Sequence, residues 1–195
     1  MGFKYQPEYL KQAKHMMRYP IFLLSFLITG CKQPIKDADI PGVTEAELEK
    51  FLLPDSVYVI LEPDSDLPWA FKDEKPATLS EAELIEIEKI LEKAIEENNH
   101  HQREMLEQHN KNHPDRQIAE TGYELRTEGY KRQYVPILNS KGQKEIWINF
   151  FCSDNFNDSW RKGVVWVLDG GNCYFNLKIN LATKTYSELR INGYA

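Results

Sequence analysis

Long apolar runs are missing from this 195-residue chain. The stretch from Tyr19 to Gly30 supplies roughly 12 largely apolar residues where a membrane-spanning helix needs ~20, which excludes a transmembrane anchor there. Cysteine is scarce, three residues in all, and none of the five histidines lies beyond His113. The strand-rich C-terminal part therefore lacks a local imidazole to activate Cys152 or Cys173 as a nucleophile. Positive charge is in deficit, with 24 basic against 30 acidic residues and a formal net charge of -6. Such a chain does not seek nucleic acid or an anionic lipid surface by charge. Internal repetition is absent too: Thr44-Glu45-Ala46-Glu47 and Ser80-Glu81-Ala82-Glu83 share a grammar, but the residues after them do not match.

What is present begins with the segment closing on Cys31. Arg18, the apolar run Ile21 to Ile28, the small or polar pair Thr29-Gly30 and then a cysteine follow the order of parts in a secretory signal. A buried core helix would carry polar residues on one face, and only Ser25 interrupts this run. Ile28-Thr29-Gly30-Cys31 resembles the lipobox of bacterial lipoproteins. That resemblance implies diacylglycerol on the Cys31 sulfur, cleavage just before it, and acylation of the new amino terminus. Met1 to His15 is polar and mixed in charge, unlike the front of a signal, so translation is expected to begin at Met16 or Met17. Gly2 is no myristoylation site, because that pattern wants Ser or Thr where this chain has Gln6. Lys32 beside the acylated cysteine resembles the sorting signal for the outer membrane. Residues 1–30 are thus read as a signal peptide, 31–42 as a lipidated tether, and 43–195 as a single α+β domain.

Without the first 30 residues, 20 basic and 29 acidic residues remain, a net charge of -9, in a length that suits one core. Thr44 with Glu47, and Ser80 with Glu83, are capping boxes that start two helices. The first is stopped by Pro54. The second is amphipathic, with Leu84, Ile87, Leu91, Ala94 and Ile95 on one stripe, and its pattern weakens past Asn98-Asn99, where fraying or a bend is expected before His113-Pro114. Val57 to Leu61 reads as a brief strand, and the segment from Pro63 to Pro76 as a loop that lays Trp69 and Phe71 onto the domain.

From Gly129 onward the period becomes two. Cys173, Phe175, Leu177, Ile179 and Leu181 alternate with polar residues as a half-buried strand, turning at Ala182-Thr183-Lys184 into Thr185 to Asn192. Tyr130 to Leu138 and Glu145 to Cys152 form a second hairpin, Val164 to Leu168 reads as a short strand, and Pro136 is expected to place its strand at a sheet edge. The fold expected is α+β: an amphipathic helix packed on an antiparallel sheet of about five strands, resembling the cystatin-like or NTF2-like layout. The tail from Asp169 to Leu181 and from Arg190 to Ala195 also resembles the ending of uncharacterised Bacteroidota lipoproteins, which implies no particular activity.

Candidate chemistry is sparse. His109 and His113 stand four apart and, with His100 and His101, crowd one region, but a zinc protease motif needs a general base beside the first His and the chain reads His109-Asn110-Lys111-Asn112-His113. A solvated helix end explains them better, and no metal or cofactor is expected. Asp154-Asn155-Phe156-Asn157-Asp158 lacks the glycine and terminal glutamate of an EF-hand loop, and Asp64, Asp66, Asp73 and Glu74 read as a solvated acidic loop. Whether Cys152 and Cys173 form a disulfide depends on topology. In a simple meander they lie at opposite ends of the sheet; if residues 154–162 carry the chain back as a crossover, they meet.

The sheet face away from the helix should carry Trp147, Asn149, Phe151, Tyr174, Asn176, Lys178, Tyr186 and Arg190. Aromatic rings flanked by amides and cations suit recognition of a peptide, glycan or protein partner, unless Trp69, Phe71 and the Val57 to Leu61 strand cover them as a second core layer. The function expected is that of a lipid-anchored envelope protein, a non-enzymatic binding or interaction module held to the membrane through Cys31. The alternative is a small envelope hydrolase using a carboxylate or thiol.

Overall fold

In a computed structural model, residues 40–63, 71, 74–153 and 156–194 are described. They belong to one compact unit, Asp39–Ala195. The lipobox with Cys31, the acidic residues Asp64, Asp66 and Asp73, Trp69, and the pair Asp154-Asn155 lie outside the described residues.

Both capping boxes form. Thr44 caps α1 (Glu45–Phe51) and Ser80 caps α2 (Glu81–Asn112), each hydroxyl accepting the N3 backbone N–H while the N3 glutamate accepts the cap N–H. The fold is α+β: the long helix α2 packs on a mixed, open sheet of six strands. The main path runs β1 (Tyr58–Ile60), β3 (Lys131–Leu138), β4 (Lys144–Phe151), β5 (Tyr174–Asn180) and β6 (Thr185–Ile191), and β2 (Lys75–Pro76) also pairs with β3. The sheet is mixed rather than purely antiparallel because β1 runs parallel to β3, Tyr58 opposite Arg132 and Ile60 opposite Tyr134. The roughly 70 residues between the two strands include α2, which supplies the crossover that a parallel pair requires.

That pairing also overturns the expected place of Pro136. β3 is an interior strand, with β4 on one side and both β1 and β2 on the other. β1 ends its pairing at Tyr134 and β2 begins at Ile137, and the Pro136 carbonyl accepts the Ala77 N–H. A strand residue points its N and C=O to the same side, so the proline nitrogen, with no proton to donate, faces the gap between the two short strands.

Alternation in β4 and β5 fills the helix side of the sheet with Ile146, Ile148, Phe150, Phe175, Leu177 and Ile179, all 0 % exposed, against Ile87, Leu91 and Ala94 of α2. Burial of each such side chain contributes about 1.5–3 kcal/mol. Phe150 and Phe175 stack at 4.3 Å, with Tyr130 edge-on to Phe175 at 5.6 Å.

The helix α2 continues through Asn112 instead of fraying past Asn99. At 1.5 Å per residue its 32 residues run about 48 Å, about twice the length of the 7- and 8-residue strands. Its buried residues all fall between Ile85 and Ala94. The rest is held by the returning chain: Asn99 bonds both the N–H and the C=O of Leu125, Asn110 does the same for Ile118, and Asn98 donates to the Tyr123 carbonyl. These amides replace an apolar stripe, which is why hydrophobic periodicity loses the helix there.

Val164 to Leu168 is not a strand. It belongs to the long connection from β4 to β5, which folds back over the rear face of the sheet. With no strand between them, β4 and β5 pair directly, Phe151 opposite Tyr174.

Candidate functional site

The direct pairing of β4 with β5 settles the cysteines. One step beyond the Phe151–Tyr174 pair, the Cys152 N–H donates to the Cys173 carbonyl at 3.1 Å, and the two residues form a disulfide with a Cα separation of 5.1 Å. Neither sulfur is a free thiol in this state.

The aromatic face is occupied. Trp147, Asn149 and Phe151 lie away from α2, as alternation requires, but they are only 2 %, 6 % and 0 % exposed. Phe71 packs edge-on to Trp147 at 5.6 Å, and Trp160 and Phe156 pack edge-on to Phe151 at 5.7 and 5.4 Å. Buried amides hold the covering connection in place. Gln133 donates to the carbonyls of Trp160 and Gly163, its own oxygen accepts the Val165 N–H, and Asn149 donates to the Val165 carbonyl. Arg161 stacks on Trp160 at 4.3 Å and donates to the carbonyls of Asp55, Ser56 and Tyr58. The rear face over β3 and β4 is thus a second core layer.

The remaining face residues scatter. Tyr174 is half-buried against the Phe151 and Trp160 cluster, Asn176 is half-buried, Lys178 pairs with Glu188 at 3.0 Å, and Arg190 is exposed opposite Asn176. Tyr186 is on the helix side, where its hydroxyl donates to Glu97 at 2.5 Å and its ring packs on the main core. The register shifts between Asn176 and Lys178, and Glu188 sits at φ 52°, so one extra residue resets the alternation of β6. The bonded hydroxyl of Tyr186 has its pKa pushed up to about 12 by the Glu97 carboxylate.

The concave feature lies on the opposite side. A cleft of about 1040 Å³ runs along α2 from Glu88 to Glu96, between the chain leaving α1 and residues 125–132. Phe51, Leu53, Leu91, Ile95, Leu125 and Tyr130 give it apolar walls. Glu88 and Arg132 form its polar floor and belong to a buried trio with Tyr134. Glu88 accepts from Arg132 Nη1 at 2.5 Å on one oxygen and from the Tyr134 hydroxyl at 2.6 Å on the other. Residue exposures are 7 %, 4 % and 0 % for Glu88, Arg132 and Tyr134. Burial drives the Tyr134 pKa well above its ordinary value, and the adjacent Glu88 carboxylate adds to the rise. Burial also opposes the charge on Arg132, but Glu88 beside it more than compensates, leaving its pKa raised. Arg132 Nε has no hydrogen-bond partner; the guanidinium lies over the Phe150 ring at 5.4 Å.

Several rim charges are already in ion pairs. Lys50 binds Glu92 at 2.8 Å, and Lys89 binds Glu47 at 2.5 Å. That contact, with the Thr44 cap, holds the Glu47 pKa down to about 2. Arg126, exposed on the far lip, forms no ion pair among the described residues. Sequence reasoning missed this cleft, although the one buried acid on the apolar stripe of α2, Glu88, was a signal that a cation must meet it.

His100, His101 and His109 sit on the far part of α2 and His113 is its C-cap, with the rings of His109 and His113 4.8 Å apart, while His15 lies outside the described residues. Among the described residues there is no group of three His, Cys, Asp or Glu side chains placed to hold a metal, and no helix long and apolar enough to cross a membrane. Comparison with protein-family models, with curated proteins and with solved structures finds no match.

Proposed function

We propose that this chain is a lipid-anchored protein of the bacterial cell envelope, acylated at Cys31 and sorted to the outer membrane, whose domain works as a binding module. The binding site in this reading is the cleft along α2 and not the rear sheet face. The cleft carries the proposal: about 1040 Å³ lies at the upper end of the ~300–1000 Å³ usual for small-molecule sites, and apolar walls with a few polar groups are what such sites present. At its floor both Glu88 oxygens are engaged by Arg132 and Tyr134, and Arg132 Nε is left as a donor without a partner. The lipobox resemblance at Ile28-Thr29-Gly30-Cys31 supports the anchor.

Two measurements test the proposal. The intact mass of membrane-extracted protein is expected to begin at Cys31 with a lipid increment; a mass beginning at Met1 without lipid sinks the anchor. An apolar dye that fluoresces on leaving water is expected to bind the parent and not Thr127→Trp, which adds bulk at a half-buried lip position of the cleft. Equal dye binding by both proteins removes the cleft as the site.

A further inference from the structure

Resting on the reading of the cleft as the binding site, we infer the class of its ligand: a single-chain amphiphile with a carboxylate head, seated with its chain along α2 and its head at Arg126. Four observations lead there. The walls are apolar over the stretch from Glu88 to Glu96, about 12 Å of helix, which suits an extended alkyl chain better than a compact polar molecule. The floor is closed to a charged head, because Glu88 has both oxygens engaged by Arg132 and Tyr134, and a second carboxylate there would meet Glu88. The head must therefore stay at the lip. There the lining charges run five cations to three carboxylates, opposite in sign to the chain's net -6. Arg126 is a lip cation that no carboxylate of the described residues engages; it lies beside the Tyr130 hydroxyl, and its guanidinium can take a carboxylate through two parallel N–H donors.

The experiment is a calorimetric titration of the full chain with dodecanoate and dodecyltrimethylammonium, each below its micelle concentration, and with dodecanol below its solubility limit. Dodecanoate is expected to bind best, about fivefold tighter than dodecanol at low salt, the upper range for a solvent-exposed ion pair. That preference is expected to shrink as salt is added. Shortening the chain from dodecanoate to decanoate is expected to weaken binding about fourfold per methylene removed. Arg126→Gln should abolish the preference for dodecanoate, and Arg126→Glu should reverse it, with dodecanol binding unchanged in both. Retained dodecanol binding shows that the variants are folded. If dodecanol binds as well as dodecanoate, or the ammonium compound binds best, the head assignment is wrong while the cleft remains a binding site. If none of the three binds, the cleft reading fails with it.

Discussion

Replacing Glu88 by Gln keeps nearly the same volume and removes one charge, in a place where the structure allows little compensation. Arg132 is 4 % exposed and its Nη1 has Glu88 as its ion partner at 2.5 Å. Stranding a buried cation in this way costs about 3–5 kcal/mol. Tyr134→Phe is the milder change, since it leaves Glu88 paired with Arg132 but takes the donor from one carboxylate oxygen; an unsatisfied buried acceptor costs about 1–3 kcal/mol. The triple variant Glu88→Leu, Arg132→Met, Tyr134→Phe removes every member together, and its stability is expected within about 1 kcal/mol of the parent or above it. Urea unfolding followed by far-UV circular dichroism, with the disulfide intact, gives all three values from the midpoints if the slope is unchanged. The order of costs is the test. Were Glu88→Gln to cost less than about 1 kcal/mol, water entering the cleft would be solvating Arg132 and the trio would not be a closed floor. A triple variant as unstable as the single one would show that packing, not charge, sets the cost.

Other outcomes follow from the same contacts. Replacing Cys152 and Cys173 by Ala opens a loop spanning 21 positions and is expected to lower stability by about 3 kcal/mol, read as a urea midpoint shift that reductant reproduces in the parent. The Glu47 carboxylate should titrate near pH 2 by carbon NMR, and because its folded pKa lies below the unfolded value, its stabilising contribution is present above about pH 4.5 and fades as pH falls toward 2. The pKa of buried Tyr134 is raised well above its unfolded value, so stability should fall as pH rises past about 10, where the unfolded chain gives up that proton, and Tyr134→Phe should flatten this limb. Asn99→Ala removes both bonds to the Leu125 backbone and is expected to speed amide exchange across residues 117–125 while leaving β4 and β5 protected; uniform protection loss would mean that the helix extension is part of the core unit.

Features that depend on neighbours in sequence were legible without coordinates. The capping boxes at Thr44 and Ser80 act within four residues, and the apolar stripe from Leu84 to Ile95 and the alternation from Cys173 to Leu181 follow from helix and strand geometry alone. Alternation also put Trp147, Asn149 and Phe151 on the face away from α2, as they are. Whether that face meets water was beyond it, because the cover comes from Phe71, distant in sequence, and from the β4 to β5 connection, whose path back over the sheet is fastened by Gln133 and Asn149. In the Val164 to Leu168 run Val165 is buried and Val164 and Val167 are half-buried while Trp166 and Leu168 are exposed, and composition does not distinguish such a half-buried covering loop from a half-buried strand. Strand neighbours are likewise non-local: the parallel β1 beside β3, the interior position of Pro136 and the adjacency of β4 and β5 that joins the cysteines all follow from which backbone edges pair. The extra residue at Glu188 that turns Tyr186 toward the helix is a property of that pairing. The cleft is the last product of tertiary structure, a space left where α1, α2 and residues 125–132 meet without closing, and a space has no residues of its own to be read.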